Sequence, residues 1–492
     1  MSLTRKVAFN TIIQIVGKVV TTGISLVLIA ALTRYLGVAG FGQYTTAFAY
    51  VAFFAVFADF GFFWIFVREI ANPKTDVSYA ASNILTLRTF LGVIIYGLAF
   101  LVSFLIPQYA DLRWGIGITA LASLFLALNS TYVGVFQNKL KMERAALTDI
   151  IGRVIILILT LYFIKLNLGL NAVLWAYTLG NIVNLAASYY LGREFVHFKP
   201  SFDFEYWKKI FLQALPMGIV LILNMIYFKI DTLMLSLMKG PIDVGIYGPP
   251  YKVLEILLFV PSIFMGNVFP ILTRYIHTKD SRVYPAFQKS FEFMVLLAFP
   301  VVLGVIFTAS DIIRIVAGKE FTIAQTIAPI FNLPATSVLT LQILIIAVGI
   351  SFFSHLFGYF VIALGKQSKM VLPNIILVIV NVGLNLLIIP KFSYIGAAIT
   401  TVITEILVAF FSWWVVRQIF EIKLRLAIFW KAGLAGVVFG VSMYLLEGQF
   451  NFIVNTIIAS IIYLSVLWFL GGINKQMFID VLRPQKEKEG LE

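Results

Sequence analysis

The chain has 492 residues, 61% of them hydrophobic and only 12% charged, and its mean hydropathy is +0.97; a soluble domain carries about a quarter charged residues, so this composition belongs to an integral membrane protein. Cysteine is absent, which excludes disulfides, thiolate metal sites, iron–sulfur clusters and cysteine nucleophiles, and the three dispersed histidines (His197, His277, His355) lack the spacing of a catalytic zinc site. The net charge of +14 is what loops held against an anionic leaflet carry, and it is not read as nucleic-acid binding.

A bilayer core of roughly 30 Å needs about 20 apolar residues per helix, and by that ruler the chain is all-α with about fourteen membrane spans. The first, 7–33, follows Arg5 and Lys6, is too long for a signal-peptide core, and carries Lys18 near its middle. The second, 41–66, holds Asp59 in its inner part. The third and fourth are 83–106 and 115–136. Arg88 in the third and Arg153 in the fifth, 148–165, lie about one and a half turns from the inner ends, where snorkelling to headgroups is the alternative to a buried role. The sixth, 171–192, leads into the longest polar connection, Arg193 to Leu212.

The seventh span, 213–238, contains Lys229 and Asp231, whose i,i+2 spacing points them to different sides. The eighth, 246–272, contains Lys252 and Glu255 on one helical face, a spacing that also suits a self-neutralising pair. After the ninth, 289–310, the stretch 311–334 is too charged for a full span and could hide a re-entrant or interfacial helix. The tenth, 335–364, carries His355, which is read as a core histidine before a relay member. The eleventh, 370–390, aligns Asn381 and Asn385 on one face for interhelical hydrogen bonds, with sugar contact as the alternative. Glu405 is central in the twelfth, 395–420. The last two spans are 431–446 and 453–472.

Most Lys and Arg fall in loops on one side, which predicts a cytoplasmic N-terminus, and the even count places both termini in the cytoplasm. No stretch between spans is large enough for a soluble catalytic domain. Gly17-Lys18, Gly318-Lys319 and Gly365-Lys366 are not followed by Ser or Thr, so no phosphate-binding loop of the Walker A type is present.

An internal repeat is legible. Gly37 to Tyr44 and Gly240 to Tyr247 both read G-x4-G-x-Y, each in a turn between two long helices. A second echo pairs Lys139-x-Lys141-Met142 with Lys366-x-x-Lys369-Met370. The repeat predicts two six-helix lobes in parallel orientation, 1–200 and 201–422, then two added helices at 423–474 and a cytoplasmic tail at 475–492. Parallel repeats place a substrate cavity between lobes.

Ionisable groups inside spans are costly and mark functional positions. Lys18, Lys229 and Lys252 lie in helices that the repeat places around that cavity, and a cationic cavity suits an anionic ligand such as a phosphate-bearing headgroup. Arg88 joins this substrate-binding set. The carboxylates Asp59, Asp231, Glu255 and Glu405 are candidates for ion coupling by H⁺ or Na⁺. No cofactor, metal or catalytic residue is expected.

Thr33-Arg34-Tyr35-Leu36-Gly37, Phe41-Gly42-Gln43-Tyr44, Asp59-Phe60-Gly61, Val67-Arg68-Glu69-Ile70-Ala71 and Leu87-Arg88 resemble the polysaccharide transporter family. So do Ile230-Asp231-Thr232-Leu233-Met234-Leu235, Val244-Gly245-Ile246-Tyr247, Tyr251-Lys252, Phe269-Pro270, Ala363-Leu364-Gly365-Lys366-Gln367, Asn381-x3-Asn385, Ile389-Pro390 and Gly396-Ala397-Ala398. These are the Wzx-type oligosaccharide-lipid flippases of the multidrug/oligosaccharidyl-lipid/polysaccharide (MOP) superfamily, and the likeness runs over about residues 5–420. It implies a MATE/MurJ-like transporter of the cytoplasmic membrane that moves a polyprenyl-diphosphate-linked oligosaccharide between leaflets, coupled to an ion gradient or the membrane potential, with polysaccharide assembly proteins as partners. Related flippases place basic residues of the first, second and eighth helices in a headgroup cavity. That supports Lys18 and Lys252 and adds Arg34, for which an interface anchor is the equal alternative. A drug or cation antiporter of the same superfamily predicts an acid-dominated cavity instead. A membrane polymerase or ligase needs a large outer loop that is not there.

Overall fold

The computed structural model describes residues 3–323, 326–328, 333–420 and 424–473. The tail expected at 475–492 lies outside the described residues. A backbone in hydrocarbon must satisfy its own hydrogen bonds, and the chain does so with helices. Eleven stretches are long and apolar enough to cross a membrane. Two of these are each a pair of helices, broken at Gly37 (φ +64°) and Ser393 (φ +49°), and Gly169–Gly192 adds a further helix of 24 residues.

Fourteen membrane helices result among the described residues, in the order the spans predict: α1 (3–36), α2 (38–70), α3 (Val77–Ser103), α4 (Arg113–Asn138), α5 (Met142–Lys165), α6 (Gly169–Gly192), α7 (Phe204–Met238), α8 (Pro241–His277), α9 (Val283–Val316), α10 (Ser337–Ala363), α11 (371–392), α12 (394–419), α13 (Ala427–Leu446) and α14 (Phe452–Phe469). The protein is a multi-pass membrane protein of all-α class.

The stretch 311–334 departs from expectation. Asp311 and Arg314 belong to the last turns of α9, which stops at Gly318 (φ +101°). A 3₁₀ turn, Lys319–Thr322, and a small antiparallel hairpin of β1 (Thr326–Ala328) on β2 (Leu333–Ala335) follow, so there is no re-entrant or interfacial helix among its described residues. The charges that forbade a span sit in the last turns of α9 and in the 3₁₀ turn just beyond it.

Packing divides the chain into two compact units. The first holds residues 1–250, 313–337 and 378–400. Its core joins Phe62, Phe66 and Ile70 of α2 to Ala80, Ile84 and Leu87 of α3 and Ile210 and Ala214 of α7. Between α6 and α7 the chain runs extended along α3. His197, Lys199 and Ser201 donate their backbone N–H groups to Ser78, Ser82 and Thr86 at 3.1–3.3 Å, and Asp203 donates to Asn83. The two-residue repeat of an extended strand and the four-residue repeat of a helix both advance roughly 6–7 Å, which is why the ladder keeps step. Asp203 closes it: it accepts from Tyr79 and caps α7 through the Tyr206 N–H, and the Tyr79 hydroxyl, followed by that amide, holds its carboxyl below the usual carboxylate range.

The repeated motif has two jobs. Its first glycines, Gly37 and Gly240, both take positive φ and turn the chain between helices. Its second glycines pack on each other's turn. A Cβ on Gly42 would lie 1.7 Å from the Pro241 carbonyl oxygen, and one on Gly245 would lie 2.0 Å from that of Val38.

The second unit holds 251–312, 338–377 and 401–492. Phe287 packs on Phe360 with ring centroids 4.4 Å apart, and Phe353 stacks on Phe429 of α13. Gly436 and Gly440 of α13 admit Leu303 and Phe307 of α9, and Tyr463 of α14 donates to the Leu296 carbonyl at 3.1 Å.

Candidate functional site

A cavity of about 790 Å³ lies within the first unit, walled by α1, α2, α4, α5 and α6. Gly17 of α1 lets that helix close on Ala146 of α5, since a Cβ there would sit 3.0 Å from the Ala146 side chain. The contact sets the next residue, Lys18, into the cavity wall.

Asp59 reaches the same cavity from α2, at the point where Phe60 (φ +42°) and Gly61 (φ +84°) kink the helix. Behind it lies Arg88, 1% exposed against 32% for Asp59. The Arg88 guanidinium donates to Asp59 Oδ1 at 2.6 Å, Ser130 Oγ at 2.5 Å, Thr131 Oγ1 at 2.8 Å and the Ala127 carbonyl at 3.2 Å. Arg88 therefore does not snorkel; its planar fork is spent inside the bundle on a carboxylate that faces the cavity.

A second pair follows the same plan on α5. Asp149 lines the cavity and sits 3.4 Å from Arg153 Nε, an i,i+4 partner that also donates to Ser25 of α1 at 3.0 Å. Each of the two cavity carboxylates is thus bound by an arginine set behind the lining, and Lys18 brings a third cation to the wall itself. Asn129 and Asn184 add amides to a polar lining that also includes Gln14, Thr21 and Ser130, with aromatic surface from Phe48, Phe63 and Trp64.

The other predicted positions fall elsewhere. Asp231 is buried on α7, accepting from Asn385 at 2.5 Å and from the Tyr247 hydroxyl at 3.4 Å, and Asn385 also donates to Asn381. Asn385 of α11 therefore bonds across to α7, and it is tied to Asn381 within its own helix. Lys229 is half-buried on the same helix as Asp231. In the second unit Lys252 pairs with Glu255 at 2.7 Å, and Glu405 accepts from Ser354 at 2.5 Å. His355 bonds the Ser351 carbonyl of its own helix at 2.7 Å. Arg34 closes the end of α9, donating to the Arg314 and Ile315 carbonyls at 3.1 and 2.8 Å and to Ala30 at 2.7 Å. A cation on helix C-terminal carbonyls is favourable by charge and dipole alike. The structure brings together Lys18 and Asp59, with Arg88 behind them, and not the remaining candidates.

Sequence reasoning passed over Asp149, Asn129 and Asn184. The signal for the first is the Asp149-x3-Arg153 spacing; a span of 148–165 puts Asp149 at its edge, whereas the helix begins at Met142 and holds it well inside. No group of three or more His, Asp or Glu suited to a metal occurs among the described residues.

The family described as "Polysaccharide biosynthesis protein" matches residues 7–276. A curated relative from Shigella flexneri, named for O-antigen transport, is 22% identical over 418 residues, covering 82% of this chain and 96% of its own. Another, from Haloferax volcanii, is named for a low-salt glycan biosynthesis flippase, Agl15, and is 22% identical over 395 residues, 78% of this chain and 77% of its own. Among solved structures, the lipid II flippase MurJ in an inward closed conformation superposes with a TM-score of 0.76 at 15% identity, covering 97% of this chain and all of that one. An inward-facing multidrug MATE transporter of the MOP superfamily gives 0.62 at 14% identity, covering 80% and 94%. At these identities the likeness speaks for the fold, which is MATE/MurJ-like.

Proposed function

The chain belongs to the polysaccharide biosynthesis protein family, and from that premise we propose that it is a flippase for a polyprenyl-diphosphate-linked oligosaccharide, of the O-antigen repeat-unit type, in the cytoplasmic membrane. The observation that carries this reading is the gathering of cations around one cavity inside apolar helices: Lys18 in its lining, with Arg88 and Arg153 bound to its two carboxylates, Asp59 and Asp149. A diphosphate has only acceptors and negative charge, and cationic donors held inside apolar helices are where such a headgroup is stabilised. The names of both curated relatives, one for O-antigen transport and one for a glycan flippase, agree with it.

In this reading Lys18 meets the diphosphate, Arg88 sets the position of Asp59, and the polyprenyl tail stays in lipid. Lobes 1–200 and 201–422 open the cavity to one leaflet and then the other, with 423–474 as added helices. Lys229, Lys252 and Arg34 are secondary headgroup contacts, and Asp59, Asp231, Glu255 and Glu405 serve coupling to H⁺ or Na⁺. Polysaccharide assembly proteins receive the product, and both termini face the cytoplasm. The protein is a transporter and not an enzyme. The antiporter reading needs an acid-dominated cavity, and the paired carboxylates speak against it.

The test is a leaflet-sidedness assay in proteoliposomes with a fluorescent polyprenyl-diphosphate oligosaccharide, with and without a pH gradient or potential. Wild-type protein is expected to deplete label from one leaflet. The Lys18→Ala, Lys252→Ala double variant is expected to insert normally and to lose that activity. Normal flipping by the double variant overturns the cavity assignment, and dye efflux without lipid movement replaces the flippase with the antiporter.

A further inference from the structure

Two amides in the cavity wall have nothing to bond. Asn129 of α4 and Asn184 of α6 line the cavity and are 6% and 4% exposed. Both Oδ1 atoms are buried without a partner, and neither side chain makes a hydrogen bond among the described residues. Buried polar groups in folded proteins are nearly always paired, so two amide oxygens left over beside one cavity need an explanation. The Oδ1 atoms are the fully buried ends, and a half-turn of each amide exchanges which end faces the cavity, so a ligand that can serve either end must carry both a donor and an acceptor.

Their placement is fixed by unusual packing. A Cβ on Gly180 would lie 2.8 Å from the Gly152 carbonyl oxygen, and one on Gly152 would lie 2.8 Å from Asn184 Cβ. Helices α5 and α6 thus cross at two glycines, one turn before Asn184, and hold its side chain in the wall. Asn129 adjoins Ser130, which is already bound to Arg88.

A primary amide offers a donor and an acceptor side by side. A diphosphate supplies acceptors only and cannot satisfy both ends. A sugar ring can, through vicinal hydroxyls or an acetamido group. We infer that Asn129 and Asn184 are a saccharide-reading subsite, taking the ring next to the diphosphate while Lys18 takes the phosphates. This rests on the flippase reading and adds to it a division of the cavity into a charge-reading part and a sugar-reading part. A volume of about 790 Å³ is that of a small-molecule site, so the subsite reads the proximal part of the headgroup and leaves the distal sugars unread.

The amides make no bonds within the protein, so replacing them by leucine strands no partner, and the double variant Asn129→Leu, Asn184→Leu is expected to fold and to melt no lower than wild type. Three ligands are compared for binding to purified full-length protein in detergent: polyprenyl diphosphate without sugar, with a single hexose, and with a single N-acetylhexosamine. The double variant is expected to bind the sugar-bearing lipids roughly tenfold more weakly or worse, from several lost hydrogen bonds, and the sugar-free lipid as wild type does. Equal weakening toward all three ligands, or no change toward any, overturns the subsite while leaving the flippase reading in place. Failure of the wild type to bind even the sugar-free lipid overturns the flippase reading, and the subsite with it.

Discussion

Arg88 shows what a single charged residue does when water is withdrawn. Its guanidinium is 1% exposed and answered by four acceptors, of which only Asp59 is charged. Removing one member of a buried pair leaves the other charge uncompensated, which is more damaging than replacing both. Asp59→Asn keeps the shape and strips the counter-charge. The expected loss is about 2–3 kcal/mol, below the roughly 3–5 typical of a broken buried pair, because three neutral acceptors remain and Asp59 is partly exposed. Arg88→Lys is expected to fall similarly, since an ammonium cannot span Asp59, Ser130 and Thr131 together. Melting temperatures in detergent check both, and an unchanged melt for Asp59→Asn sinks the claim. The sequence identified Lys18, Asp59 and Arg88 as charges out of place, because an ionisable residue among apolar ones is conspicuous. It did not reveal Asn129 and Asn184, because an amide in a span has an ordinary alternative use, which Asn381 and Asn385 in fact adopt.

Helices in this chain are defined as much by where they stop as by their apolar content. The hydropathy ruler finds spans but fixes ends loosely, and a fifth span begun six residues late leaves Asp149 at its edge. The hairpin of β1 and β2 escaped because its three-residue strands are too short to show a period. The repeated G-x4-G-x-Y motif was legible as a repeat, yet not as a contact between its copies, since close approach of two backbones leaves no mark except glycine. That contact makes a strong prediction. Gly42→Ala must displace the Pro241 carbonyl from 1.7 Å, and Gly245→Ala must displace that of Val38 from 2.0 Å, both rigid backbone atoms. Each is expected to destabilise by roughly 2–4 kcal/mol or to part the turns, as overpacking against backbone does. Gly23→Ala meets nothing within 4 Å and is the control, expected to be neutral or stabilising by up to about 1 kcal/mol in a helix interior. Melting curves of the three variants decide it, and a tolerant Gly42→Ala would mean that the two turns do not touch as described.

At the scale of the whole molecule the decisive helix is α6. It is 24 residues long but less apolar than the eleven stretches that pass most clearly on hydropathy, and a count that left it out would invert the far half of the chain. Its packing says that it crosses. Buried Thr178, Asn181 and Asn184 thin its apolar content, and Thr178 and Asn181 are bonded inside the bundle, to the Ile118 and Leu174 carbonyls and to that of Tyr177. A polar face turned inward is compatible with a span, whereas the same residues toward lipid are not. Because the protein has no cysteine, each cysteine introduced into it is a unique label. Lys74→Cys between α2 and α3 and Lys139→Cys between α4 and α5 lie in basic loops and are expected to resist an impermeant maleimide added to intact cells. Gln108→Cys before α4 and Gln449→Cys between α13 and α14 are expected to react with it. The last two are separated by an even number of helices only if α6 crosses. Labelling of Gln108→Cys with protection of Gln449→Cys would remove α6 from the membrane, and with it the side of the cavity wall that carries Asn184.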